Sequence, residues 1–296
     1  MSNPAIALVT AVAARDLDED MPSLESALRS AGANVTVAEW DRPHDWRRFD
    51  VAVLRSPWDY PQRFTEFMGW AESVSEQTKL LNPLPVVKWS ADKHYLADLA
   101  AREVPTVFTR FIEPGEPPGP RIDELLRQPD VDEFVVKPAI GGGSRDAQRF
   151  GRAEKQDAAR HAQRMLDENR SVLLQPYLGK IDELGETALM YVEGRFSHAI
   201  RKGPLLKRKD VPTTELFAKE AITPRVPDPA ELAVGVRALQ AIPSDTPLYA
   251  RVDLIRDRQG EPVVLELELF EPSLFLGFSS GSAENFAAAI VRRAKA

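Results

Sequence analysis

Short apolar runs separated by polar stretches that carry glycine or proline set the rhythm of the first third of the chain. Residues 6–9, 35–37 and 51–54 are apolar enough for buried strands, and a helical pattern over 22–30 stops before Gly32. Strands alternating with helices in this way predict a small α/β unit with a parallel sheet. Ligands of such sheets meet the loops beyond the carboxyl ends of the strands, here residues 10–20 and 55–60. Trp58 and Tyr60 in the second loop suit either a ligand or ordinary packing at a corner.

Asn82-Pro83-Leu84-Pro85 then interrupts the pattern, which predicts a domain junction, followed by a helix over 90–102 with Ser90 as its N-cap. Residues 113–120 are rich in proline and predict a surface loop. A strand over 134–136, a helix over 153–169 and a strand over 172–174 form a second α/β unit, and further strands and a final helix near 283–294 come after residue 179. The expected divisions are 1–90 on the substrate side, 91–178 in the centre and 179–296 at the C-terminus, with no internal repeat.

The period-2 alternation is clearest in residues 249–253 and 263–268, which read as strands joined by a hydrophilic turn over 256–262. In a hairpin, Glu266 and Glu268 share one face and Asp253 can lie opposite them. Three carboxylates held together repel unless a cation joins them, and hard oxygen ligands beside a nucleotide's phosphates suit Mg²⁺. An exposed acidic strand edge is the alternative that this segment alone leaves open.

Composition narrows the chemistry further. A chain of 296 residues with 43% hydrophobic content buries a large core split into subdomains. A net charge of -7 argues against nucleic acid or an anionic membrane as the main partner. The absence of cysteine excludes disulfides, thiolate metal sites and a cysteine nucleophile, and fits a cytoplasmic protein. The apolar residues 5–14 lack a basic lead-in and run into acidic residues, unlike a secretory signal, and no apolar run reaches the length needed to span a bilayer.

Lys137 at a strand end precedes Gly141, Gly142, Gly143 and Ser144, a loop whose backbone amides can cradle phosphate oxygens or which is simply a mobile hairpin tip. Neither a Walker-type loop nor a Gly-x-Gly-x-x-Gly fingerprint is present. Residues 277–281 spell Gly-x-Ser-x-Gly, yet His44, His94, His161 and His198 all precede Ser279, whereas the histidine of a hydrolase triad of that kind follows its serine. The histidines also lack metal-ligand spacing. Arg201-Lys202 and Arg251 are placed to face phosphates or to form surface ion pairs, and residues 207–210 read as a solvated loop able to close over a nucleotide.

Taken in order, Asp92-Lys93, Val135-Val136-Lys137-Pro138 with its glycine loop, Gln175-Pro176-Tyr177-Leu178, Arg251-Val252-Asp253 and Leu265-Glu266-Leu267-Glu268 resemble the ATP-grasp superfamily, in particular its glutathione-synthetase-like ligases, over residues 85–276. The resemblance implies an α/β chain in which an N-terminal parallel-sheet domain precedes two α/β subdomains that enclose ATP. It implies that Lys93 and Lys137 contact the phosphates and that Gln175, Tyr177 and Leu178 meet adenine from the hinge. Asp182 takes the ribose by spacing, with Glu183 and Glu186 left open. Asp253 and Glu266 match the Mg²⁺ carboxylates, while Glu268 stands where the superfamily usually has asparagine.

Residues 55–60 and 269–275 look similar to a bacterial subgroup that includes the D-cycloserine-forming ligase, in which O-ureido-D-serine cyclises through its own activated carboxylate. The resemblance thus implies an ATP- and Mg²⁺-dependent ligase acting through an acyl phosphate, with Lys202 and Arg251 at the reacting phosphate. Arg55 and Asp59 are the candidates for a small amino-acid-like substrate's carboxylate and amine. A nucleotide-binding module without ligase activity and a kinase that stops at a phosphorylated product are the competing readings. Members of the superfamily are often oligomers, so a homo-oligomer is an open expectation.

Overall fold

A computed structural model describes residues 3–206 and 221–296, so the basic run at 207–210 lies outside the described residues. The chain begins with β1 (Ala5–Thr10), α1 (Met21–Ser30), β2 (Asn34–Glu39), β3 (Val51–Ser56), α2 (Phe64–Ser75) and β4 (Lys79–Leu81). Their apolar runs pair as a parallel sheet in the order β2-β1-β3-β4, as the strand–helix alternation predicts. Residues 6–9 and 51–54 are fully buried, as expected of strands covered on both faces.

Two short helices come next, α3 (Leu84–Ser90) and α4 (Tyr95–Ala101). The expected single helix over 90–102 is therefore corrected: Ser90 ends α3 instead of capping α4, and residues 91–94 turn so that the Lys93 amide donates to Ala139 O at 3.0 Å. Local helix propensity gives way to a tertiary hydrogen bond there. Beyond, β5 (Arg110–Ile112), α5 (Pro118–Leu126), β6 (Glu133–Pro138), β7 (Gln148–Gly151), α6 (Lys155–Asp167) and β8 (Val172–Pro176) build an antiparallel sheet in the order β5-β8-β6-β7. α5 and α6 cover it through Ile122, Leu125, Ala158, Ala162 and Met165. The expected loop over 113–120 is only half right, because Pro118 and Pro120 form the first turn of α5, where a missing amide hydrogen is no loss.

The remainder comprises α7 (Ile181–Leu184), β9 (Glu186–Val192), β10 (Arg195–Lys202), β11 (Ile222–Arg225), α8 (Pro229–Gln240), β12 (Tyr249–Arg256), β13 (Pro262–Glu268) and α9 (Ser282–Lys295). Its strands form an antiparallel sheet in the order β11-β10-β9-β12-β13. α8 is capped by Asp228, whose carboxylate accepts from the amides of Ala230 and Glu231 while Glu231 reaches back to the Asp228 amide. α9 returns to the first sheet and shares one core with α1, β1 and β3. Among the described residues no helix is long and apolar enough to cross a membrane.

One side chain ties the first sheet to the last. Asn82 donates to Tyr249 O at 2.9 Å and Leu269 O at 2.6 Å, and accepts from the Leu248 amide at 2.6 Å. Asn82 is 1% exposed, so replacing it with alanine strands three buried backbone groups. We expect Asn82→Ala to cost about 3 kcal/mol or more of folding stability, measured by urea denaturation; a change under about 1 kcal/mol contradicts this role.

Candidate active site

The hairpin that sequence alternation predicts is formed by β12 and β13, with Arg251 opposite Glu268, Val252 opposite Leu267 and Asp253 opposite Glu266. A register shift comes after Asp253, and the three carboxylates offer one oxygen each within 4.8 Å of one another. A hard divalent cation takes such a donor set.

Cations already crowd this cluster. Arg251 Nε donates to Asp253 Oδ1 at 2.9 Å, and its Nη2 reaches Asp253 Oδ2 at 2.9 Å and Glu268 Oε1 at 2.5 Å. Lys202 Nζ bonds Asp253 Oδ2 at 2.7 Å and also pairs with Glu186. Lys93 Nζ sits 2.8 Å from Glu266 Oε1 and donates to Gly141 O at 2.5 Å.

The electrostatics divide the acids. Burial alone would raise Asp253, but the charges of Arg251 and Lys202 hold it well below the usual carboxylate range. Against the same burial penalty, Lys93 and Lys137 pull Glu266 down to about 2. Burial pushes Glu268 up to about 7, with Glu266 and Asp253 adding to the rise despite Arg251. Burial also raises Glu271, to about 8, with the charge of Glu268 the next cause. Lys137 is lowered by burial and by the charges of Lys93 and Lys202, with Glu266 opposing.

These groups stand around a cavity of 670 Å³. Lys93, Lys137, Lys202, Arg251, Glu266 and Glu268 line one part of it, and Asp253 is fully buried in the strand between them. The glycine loop supplies Gly141, Gly142, Gly143 and Ser144. A side chain at Gly141 would meet Pro138 Cγ at 2.8 Å, and Gly143 and Ser144 take φ of 61° and 60°, so this backbone suits small residues at a close approach. Gln175, Tyr177 and Leu178 line the cavity from the end of β8, and Gln175 is fixed by a 3.0 Å bond from its Nε2 to Thr109 Oγ1.

Three expected residues are placed elsewhere. Asp182 does not line the cavity; its carboxylate is held by Tyr177 Oη at 2.5 Å and by Arg149, and Glu186, an alternative the spacing left open, lines the cavity instead. Arg55 is fully buried behind the wall, 3.3 Å from Asp20 and 3.5 Å from Asp18, with Nη1 donating to Pro272 O at 3.2 Å. Asp59 accepts from Trp40 Nε1 at 2.8 Å and pairs with Arg63 at 3.0 Å, away from the cavity. Neither Arg55 nor Asp59 lines the cavity as a site for substrate carboxylate and amine: Arg55 is buried beside Asp18 and Asp20, and both oxygens of Asp59 are held by Trp40 and Arg63.

Sequence reasoning missed Asp20 and Glu271. Asp20 accepts from the amides of Leu274, Phe275 and Leu276 at 2.7, 3.0 and 2.6 Å, which fixes the loop after β13. Glu271 lines the cavity beside Trp58 and Tyr60, and its Oε1 accepts from Tyr60 Oη at 3.0 Å. The signals were present in the acidic run at 16–20 and in the segment 269–275, but neither names its partner. Ser279 comes after a short turn at Leu276–Phe278 and no strand runs directly into it, so the hydrolase-elbow spelling is coincidental.

A curated relative, the cycloserine biosynthesis protein DcsG of Streptomyces lavendulae, is 42% identical over 301 residues and covers 98% of this chain and 99% of its own. The chain belongs to the D-cycloserine synthetase family. A family model for the N-terminal domain of D-cycloserine synthetase DcsG matches residues 6–82. A crystal structure of D-cycloserine synthetase DcsG superposes with a TM-score of 0.91 at 41% identity, covering 98% of this chain and 99% of the other. The D-alanine–D-alanine ligase of Bacillus anthracis complexed with ATP superposes at 0.71 with 15% identity over 99% and 97% of the two chains, a likeness of fold alone. The chain has the ATP-grasp fold and is an ATP-dependent ligase.

Arg55→Ala leaves two buried carboxylates without their cation and costs about 3–5 kcal/mol, read as a loss of stability in urea; unchanged stability with a raised substrate KM would return Arg55 to the substrate. Glu268 and Glu271, with ordinary values of 4.5, hold protons in the folded metal-free protein that the unfolded chain has released. Their contribution therefore falls as pH rises from about 4.5 to about 8. In urea denaturation at pH 5 and pH 8, the double variant Glu268→Gln/Glu271→Gln should show less of that fall than wild type; equal slopes refute it.

Proposed function

We propose that the protein closes O-ureido-D-serine into D-cycloserine with the energy of ATP, the carboxylate being activated as an acyl phosphate. The full-length 42% identity to the cycloserine biosynthesis protein supports the substrate class. The observation that carries the chemistry is the joint placement of Asp253, Glu266 and Glu268 with Lys93, Lys202 and Arg251 at one cavity.

The donor set fits Mg²⁺: three oxygens converge on one face, and Glu268 is pushed toward neutrality by burial first and then by the charges of Glu266 and Asp253, which Arg251 offsets only in part. Asp253, Glu266 and Glu268 would hold the ion, which supplies charge neutralisation at the transferring phosphoryl group. Lys93 and Lys137 approach phosphates from the glycine loop, where the backbone at Gly141, Gly142, Gly143 and Ser144 leaves room for close contact. Gln175, Tyr177 and Leu178 meet the base, and Glu186 or a reoriented Asp182 the ribose.

A carboxylate is a poor electrophile, and phosphorylation gives its carbon a leaving group. The carboxylate oxygen attacks the γ-phosphorus and ADP departs; the nitrogen bonded to oxygen then attacks the carbonyl carbon and phosphate departs, and the bond from that nitrogen to its carbamoyl carbon breaks, the carbamoyl group losing a proton from its NH2 and leaving as isocyanic acid. Lys202 and Arg251 stabilise the charge that develops at both steps. No protein nucleophile is required. On this reading residues 91–178 and 179–296 enclose the nucleotide, and 1–90 closes the substrate side with α9 packed against it.

Phosphate release is the test. With Mg²⁺ and ATP, O-ureido-D-serine alone should release phosphate in step with ring product, and adding a free amine should not raise the rate. Asp253→Asn and Glu266→Gln should each lower turnover about a hundredfold or more. Release only with a second amine would make the enzyme an intermolecular ligase, and silence with ATP still bound would favour a binding module.

A further inference from the structure

Most charged groups at the cavity already have a counter-charge. Lys93 serves Glu266, Lys202 serves Asp253 and Glu186, and Arg251 serves Asp253 and Glu268. Asp18 Oδ2 lacks a hydrogen bond but lies 3.5 Å from the Arg55 guanidinium. Glu271 is different. Its Oε1 accepts from Tyr60 Oη, while its Oε2 is shielded from water without a hydrogen-bond partner, and among the described residues it forms no ion pair.

Tyr60 anchors one oxygen of the carboxyl, and Trp58 anchors the backbone of the residue. Tyr60 is 2% exposed and packs edge-on against Phe270 at 5.0 Å, and Trp58 Nε1 donates to Glu271 O at 2.9 Å. Leaving one oxygen of such a group unsatisfied is costly, and a donor arriving in the cavity removes that cost. The terminal carboxyl torsion is soft, so either oxygen can turn to meet it.

Resting on the reading above, we propose that Glu271, positioned by Tyr60 and Trp58, binds the α-ammonium of the substrate and makes the enzyme selective for amino acids over their desamino counterparts. The covalent geometry of an α-amino acid favours this placement. Its ammonium sits on the carbon next to the carboxyl carbon, so the group that takes it must neighbour the site of phosphorylation. Glu271 lies three residues beyond Glu268 and lines the same cavity. An ammonium there supplies the ion pair that Glu271 lacks among the described residues, adding to the pull of Lys93, and lets a carboxyl that burial favours as neutral ionise.

The test compares wild type, Glu271→Gln and Glu271→Asp with O-ureido-D-serine and with 3-(ureidooxy)propionate, which lacks the amine. Glu271→Gln should raise KM for O-ureido-D-serine about tenfold or more, with KM for ATP changed less than about twofold, and Glu271→Asp should recover part of the loss. On the desamino compound, wild type and Glu271→Gln should match. An unchanged KM, or an equal loss on both compounds, overturns the proposal. If wild type turns over neither compound, the proposed reaction fails on its own, and calorimetry with D-serine and 3-hydroxypropionate in the presence of a non-hydrolysable ATP analogue decides this one. A wild-type preference for D-serine that Glu271→Gln abolishes upholds it, and the absence of such a preference overturns it.

Discussion

The active site depends on the antiparallel register between β12 and β13, which sets Asp253 against Glu266 and Arg251 against Glu268. Anions this close are tolerable only because Arg251, Lys202 and Lys93 thread between them, each bonded to at least one carboxylate. The compensation is uneven. Asp253 is saturated by two cations, whereas Glu268 shares one guanidinium and is pushed toward neutrality. A register slip of one residue would turn these side chains to the other face and dissolve the site.

Around this pair the loops are tied by buried polar groups. Asp20 collects three amides of the segment after β13 and meets Arg55, which in turn reaches Pro272 O. Asn82 and Tyr249 bind the first sheet to the last: Tyr249 Oη donates to Leu54 O at 2.5 Å. The wall that carries Trp58, Tyr60 and Glu271 is thereby fixed relative to the metal-type carboxylates. Buried polar networks of this kind hold a site to a tighter geometry than apolar packing alone.

How much of this could be read from the chain depends on the range of each interaction. The hairpin was legible because alternation and a polar turn are local signals, and the parallel sheet because strand and helix periods alternate within short windows. The glycine loop and the end of β8 were expected at the nucleotide through the resemblance of residues 135–144 and 175–178 to the ATP-grasp superfamily, because alone a glycine triplet equally suits a hairpin tip. Arg55 misled because its counter-charges, Asp18 and Asp20, lie on another loop and no local pattern marks them as partners. Lys93 broke an expected helix because its amide and ammonium are claimed by Ala139 and Gly141. Glu271 was invisible for the same cause: its partners Trp58 and Tyr60 come from the loop after β3.

The central claim is that the crowded carboxylates of β12 and β13 are a divalent-cation site. Anomalous diffraction from crystals grown with Mn²⁺ and ADP tests it most directly. The expected result is a peak coordinated by oxygens of Asp253 and Glu266, with Glu268 at or next to the ion and Arg251 shifted from its present bonds. A metal bound elsewhere in the cavity, with Arg251 and Lys202 still closed on Asp253, would contradict it.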